Sequence, residues 1–224
     1  MKQFGGILAA GAVLAAGATS SLAQSSISYP TSTPVPSTAT DWANTLVFEQ
    51  FNSSLGTLDS VELQLSASLS TTLTVVNSGS TGDGGNAHTV MYTTVQDPGL
   101  NLVSPFETDS ATYSFGGGIF GTGLAPGLPG VTSGPLTGTS SSDNTYYTSP
   151  ILVEFTGSGT ISLNAGTYTT TTVNDNGSNT TADQTTTASL TGEVIYDYTA
   201  AAPEPSTIGL LIFGLGALPF RRRQ

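Results

Sequence analysis

The chain's single histidine, His88, limits the proton-transfer chemistry open to it before any fold is considered. A hydrolytic triad needs an imidazole beside an activated serine, and no Gly-x-Ser-x-Gly elbow occurs in the sequence. Lysine is found only at position 2, which removes Ser-Lys chemistry, and cysteine is absent, which removes thiol catalysis and thiolate metal sites. One histidine also cannot build a histidine-based zinc centre. His88 follows a glycine-rich stretch and reads as an exposed, structural residue. Paired carboxylates remain as a route to glycoside hydrolysis, and Glu154 and Glu193 fall in segments with strand character where they could converge across a sheet. The sequence fixes no distance between them, and solvent-facing strand positions are the simpler reading, so no catalytic residue is expected.

Hard oxygen donors are the next resource. Asp83 with Asn86, and Asp175 with Asn174, Asn176 and Asp183, form two oxygen-rich stretches in which calcium is the most suitable ion. Neither matches an EF-hand loop, and Asp and Asn shape turns without any metal, so the expectation is no cofactor, with calcium as the alternative. Trp42, Tyr146 and Tyr147 are candidates for stacking on sugar rings, with a core or sheet-edge role as the competing reading.

The placement of charge excludes whole classes of partner. Every basic residue is terminal: Lys2, then Arg221, Arg222 and Arg223. All carboxylates but Glu204 lie from Asp41 to Asp197, where no cationic side chain can pair with them. Such a surface cannot neutralise phosphates or adhere electrostatically to an anionic bilayer, which excludes nucleic acid as a partner. Each carboxylate must instead be hydrated, hydrogen-bonded or bound to a metal ion.

The two ends carry addressing chemistry. Lys2, an apolar run from Phe4 to Ala18 and the small-x-small triplet Ser21-Leu22-Ala23 have the order of a secretory signal over residues 1–23, with cleavage between Ala23 and Gln24. At the other end, Pro203-Glu204-Pro205-Ser206-Thr207 precedes an apolar run from Ile208 to Phe220 and the arginine cluster. The two prolines remove backbone donors and disfavour helix ahead of Pro205, which leaves an extended segment for a protease. The run from Ser206 to Phe220 rises only about 22 Å as a helix, a marginal span, and the arginines hold their end on the cytoplasmic side.

In that order of parts, residues 203–224 closely resemble the sorting tail of PEP-CTERM proteins of Gram-negative bacteria that make extracellular polysaccharide. The resemblance implies recognition by an exosortase-type processing enzyme, cleavage near Pro203–Thr207, transient passage through the inner membrane on the C-terminal helix, and a final place at the cell surface or in the extracellular matrix. A single-span anchor retained for life is the alternative.

Between the ends, strands must do the positioning. Residues 24–40 are rich in Ser, Thr and Pro and read as a flexible or extended leader. From there period-two alternation dominates, as in Val61, Leu63, Leu65, Ala67 and Leu69 against Ser60, Glu62, Gln64, Ser66 and Ser68. Similar patterning predicts strands over 45–51, 71–76, 89–95, 151–155, 160–163, 167–173 and 188–198. The glycine-rich stretch 78–86 and the segment 174–179, with Asn176-Gly177, read as hairpin connections, and 116–138 as an irregular excursion. About eight strands predict an all-β fold over 41–200, a single antiparallel sandwich or jelly roll flanked by an N-terminal signal helix and a C-terminal apolar helix. The block from Thr40 to Leu65, with its Thr-Asp-Trp start, Gln50-Phe51 and Leu55-Gly-Thr-Leu58, resembles the opening of the choice-of-anchor E domain, a module found with assorted surface anchors, and no catalytic residues transfer with it. The functional expectation is a non-enzymatic surface or matrix protein; a carbohydrate-binding module for extracellular polysaccharide is the alternative, and a carbohydrate-active hydrolase the third.

Overall fold

The alternation through Val61–Leu69 does not stop at Ser70: Thr71, Leu73 and Val75 keep the inward parity, so one long strand forms where a break at Ser70 was expected. In the computed structural model, which describes residues 23–116, 124–127, 130–176 and 179–201, the chain builds an antiparallel sandwich of two sheets. In chain order the strands are β1 (Gln24–Pro30), β2 (Val35–Ala39), β3 (Ala43–Glu49), β4 (Gly56–Asn77), β5 (Gly85–Gln96), β6 (Val103–Asp109), β7 (Tyr113–Phe115), β8 (Val131–Thr132) and β9 (Leu136–Tyr146). A short helix α1 (Ser149–Glu154) precedes β10 (Thr160–Asp175) and β11 (Thr180–Ala200). The six-stranded sheet runs β1-β11-β4-β8, with β2 also on β11 and β9 also on β4. The five-stranded sheet runs β3-β10-β5-β6, with β7 also on β5.

The inward faces meet in an apolar core. Leu46, Phe48, Leu63, Leu65, Met91, Val95, Leu163, Val194 and Tyr196 are almost wholly excluded from solvent. Tyr196 is held by Phe51 and Phe155 in edge-on contact and donates its hydroxyl hydrogen bond to the Glu49 carbonyl at 2.7 Å. A smaller cluster of Leu73, Val75, Ala87, Phe115 and Leu124 fills the far end of β4 and β5.

Beside this core, threonine and serine do the packing that ion pairs cannot do in a domain without Lys or Arg. Thr108 of β6 meets Ser140 of β9 at 2.5 Å, Ser104 meets Ser142 at 3.1 Å, and Asn144 donates to Ser104 at 2.8 Å, so the two sheets are bridged where β6 faces β9. Between β10 and β11, Gln184 accepts from Thr171 at 2.8 Å and donates to Thr169 at 3.0 Å. Gly138 shows how close the sheets come on the β6–β9 side: a Cβ there would collide with the Asp109 carbonyl.

Four expectations are corrected. Residues 24–40 are extended, as one of the two readings had it, but they belong to the sandwich and are not a leader ahead of it: β1 and β2 both pair with β11, and Val35 is buried. The link between them caps the other sheet, because Thr33 Oγ1 donates to the Thr45 carbonyl and accepts from Val47 N, both at 2.9 Å, which occupies the free edge of β3. Threonines in the composition that suggested a leader satisfy backbone groups of β3. The segment 151–155 is not a strand, since α1 starts with Pro150 in its first turn and buries Ile151, while Phe155, the residue that caps its C-terminus four positions on, is buried beside it. Strands 160–163 and 167–173 are one strand, β10. The glycine-rich stretch 116–138 holds β8 and the start of β9, with 117–123 and 128–129 outside the described residues. The signal segment before Ala23, Gly177 of the second hairpin connection and the whole tail 203–224, including Arg221, Arg222 and Arg223, also lie outside them. Among the described residues no helix is long and apolar enough to cross a membrane.

Candidate functional site

His88 lies on β5 and is half-buried rather than fully exposed. Its Nε2 stands 3.9 Å from the Asp109 carboxylate, and its Nδ1 is buried without a hydrogen-bond partner. Neither ring nitrogen is hydrogen-bonded to a serine hydroxyl, so the arrangement lacks the first contact of a nucleophilic site.

Glu154 and Glu193 have separate surroundings. Glu154 ends α1 beside Asp97 and Asn101; burial first, and then the neighbouring Asp97 carboxylate, raise its pKa above the ordinary 4.5. Asp97 is itself buried, accepting from Gly99 N at 2.8 Å and Leu102 N at 2.5 Å, so Glu154 meets an acceptor already committed to backbone donors. Glu193 sits on β11 opposite Pro30 of β1 and Gln64 of β4. With Asp143 of β9, which also faces Gln64, it lines a shallow depression of about 320 Å³ on the outer face of the six-stranded sheet.

The oxygen-rich stretches are partly brought together. Asp83 is buried and accepts from Thr180 Oγ1 at 2.5 Å, Gly84 N at 2.8 Å and Asn176 N at 3.2 Å, with Asp175 beside it. The Thr180 hydroxyl is the main reason its pKa falls below the ordinary 3.8, against the opposing effect of burial. These donors account for Asp83 as the clasp that joins the β4–β5 connection to the start of β11. Asn86 bonds instead to Ser114, at 2.7 Å, and Asp183 lies exposed on β11 opposite Thr74. Among the described residues no group of three His, Cys, Asp or Glu is placed to hold a metal ion.

The three aromatic candidates do not form one surface. Trp42 is half-buried against the core, with its Nε1 buried and unpartnered. Tyr146, at the end of β9, also packs on the core, and burial raises its pKa. Tyr147 is 70% exposed but follows β9 alone.

A different aromatic pair does form a surface. Tyr168 of β10 and Tyr92 of β5 are direct cross-strand partners on the outer face of the five-stranded sheet, 60% and 41% exposed. Directly opposite residues in an antiparallel pair place their Cβ atoms about 4.5–5.5 Å apart, so the two side chains leave the sheet from neighbouring points. Two positions along each strand the next row is Gly166 and Thr94, and beyond it Asn164 and Gln96. A row of short side chains therefore lies between two tyrosines and two amides. Sequence reasoning missed this pair because threonine occupies both parities of 89–95 and 167–173, leaving the buried face undecided; alternation shows a strand but not which side faces inward when both sides are β-branched or hydroxylic.

No family model and no curated protein matches the chain. Among solved structures it is similar to a chain in the structure of infectious bursal disease virus Gt strain, at 10% identity over 87% of this chain and 50% of that one, with a TM-score of 0.13. It is also similar to a chain of the T=1 particles derived from that virus, at 12% identity over 85% of this chain and 47% of the other, again with a TM-score of 0.13. The chain spans about half the length of the viral chains it matches, and a likeness this remote carries no argument about function.

Proposed function

We propose that this is an exported, non-enzymatic protein of the cell surface or extracellular matrix, whose sandwich is the working part and whose two ends are removed or used as addresses. What carries the reading is where the strands begin and end relative to the addressing chemistry. Among the described residues the first strand starts at Gln24 and the last ends at Ala200, so cleavage after Ala23 and within Pro203–Thr207 leaves each described strand whole. All four basic residues lie in the segments that such processing discards. The polypeptide that remains has only carboxylates as permanently charged side chains, and its outer faces are clothed in Ser and Thr, a surface suited to hydration within a polysaccharide layer.

The proposed partners are an exosortase-type enzyme at the tail, the inner membrane in passage and extracellular polysaccharide at the destination. Mass spectrometry of the protein isolated from its native host tests the reading. The expected result is an N-terminus at Gln24 and a C-terminus within 203–207. Intact chain in the cytosol, with Met1 and Arg223 still attached, overturns it.

A further inference from the structure

We propose that the outer face of the five-stranded sheet, at Tyr92 and Tyr168, binds an extended, uncharged polysaccharide chain. The proposal rests on the reading above only in that the protein meets such a chain outside the cell; the surface itself is argued from the sheet.

Two large rings left 41% and 60% exposed in the middle of a sheet, on its two central strands, contribute little to the core. Their attachment points, opposite each other on adjacent strands, are spaced close to the repeat of one pyranose ring along an extended chain. A pyranose ring has an apolar C–H face that packs on an aromatic ring, while the phenol hydroxyl stays in water to bond a sugar oxygen. Next to the tyrosines, Gly166 has no side chain and Thr94 a short one, which leaves a shallow trough running across the strands. On its far side, Asn164 and Gln96 supply amides that can donate and accept, the pattern that equatorial hydroxyls require. The row continues to Ala43 of β3 on one side and Pro105 of β6 on the other, neither of them a large side chain, which suits a chain interior rather than a chain end.

Charge selects among polymers. On this face Glu107 of β6 stands directly opposite Tyr92, with Asp109 two positions along β6 and Glu49 on β3, and no Lys or Arg is present to draw in a uronate or sulfate. The opposite face is the acidic one, carrying Glu62, Asp143, Asp183, Glu193 and Asp197. The carboxylate beside Tyr92 repels an anionic polymer, whereas a neutral chain can meet it with its hydroxyls, and the tyrosines lie on the less acidic of the two faces.

Native affinity electrophoresis of the full chain tests this, with gels containing hydroxyethylcellulose, soluble mixed-linkage β-glucan, galactomannan or polygalacturonate. Retardation is expected in at least one neutral gel and in none containing polygalacturonate. Tyr168→Ala and Tyr92→Ala should each weaken retention about tenfold with an unchanged thermal midpoint, while Tyr147→Ala, equally aromatic but off this face, should behave as the parent does. Free migration of the parent in all neutral gels, equal retention of Tyr168→Ala, or retention only by polygalacturonate overturns the proposal. Sedimentation of the same variants identifies self-association: a dimer that Tyr168→Ala dissociates, without glycan binding, assigns the face to a second copy and overturns the proposal too. A processed, exported protein that fails the gels leaves the export reading standing; retention by a chain that keeps both ends in its host does the reverse.

Discussion

Glu154 shows at the scale of one residue what a domain without cations does with its acids. Its carboxyl lies against Asp97, with no base to offset either, and its pKa is raised by burial and then by that neighbour. The folded state thus holds this proton more tightly than the unfolded chain does. The associated stability is present below the ordinary value of 4.5 and is lost as pH rises through the elevated one, so at neutral pH the ionised group is a liability. Glu154→Gln is expected to raise the melting temperature at pH 7 by up to about 2 °C, since the site is partly open to solvent, and to bring no gain at pH 4. Differential scanning calorimetry at the two pH values checks it; equal shifts at both would show that packing and not protonation is responsible. Asp83 has the opposite sign, its pKa held down chiefly by the Thr180 hydroxyl, so its contribution persists through neutrality and is lost only in acid. At this scale the sequence was legible for turn-forming Asp83 and mute on Tyr92 and Tyr168, because a carboxylate between glycines announces a turn while a tyrosine among threonines announces no direction.

Among the elements, β9 was the least visible from sequence, and its reason is physical. Between Leu136 and Tyr146, which pack on the apolar clusters, its inward positions are Gly138, Ser140, Ser142 and Asn144, on the side of the Ser104 and Thr108 hydroxyls of β6. A strand buried against hydroxyls has no hydrophobic period to read. β4 and β11 were legible because Leu, Val and Tyr mark one parity over their central stretches, although their full lengths were not. α1 was misread because its run of Ile, Leu and Val carries β propensity, while the decisive features were Pro150 and the four-residue spacing of Ile151 and Phe155. Close approach at the β6–β9 seam gives a test at this scale. Gly138→Ala should cost roughly 1–3 kcal/mol in urea unfolding, because the added methyl meets the Asp109 carbonyl and one sheet must retreat from the other. Gly134→Ala, where nothing lies within 4 Å, should stay within about 0.5 kcal/mol of the parent.

For the molecule as a whole, the all-β class and the antiparallel sandwich were legible, since alternation and turn chemistry pointed the same way over most of its length; the pairing order was not, because β1 meets β11 across nearly the entire chain. The formal charge of −11 includes the four basic residues at the ends, so the sandwich taken alone is more acidic still. Its seams are neutral hydroxyl and amide pairs, which added electrolyte does not weaken, whereas repulsion among carboxylates is screened by it. Sodium chloride up to 0.5 M is therefore expected to leave the melting midpoint level or raise it slightly, and calcium at matched ionic strength to add no saturable step. A midpoint that falls with salt would mean that ion pairs, and not these seams, hold the sheets together. Gln24 lies opposite Thr199, so the domain's first and last strands enter and leave at the same pole. If a tether beyond Ala201 holds the molecule while a polymer pulls at Tyr168, tension enters through one sheet and leaves through the other. The interlayer of leucines, phenylalanines and hydroxyl bridges, rather than any single ladder of backbone bonds, then becomes the element that must resist being drawn apart.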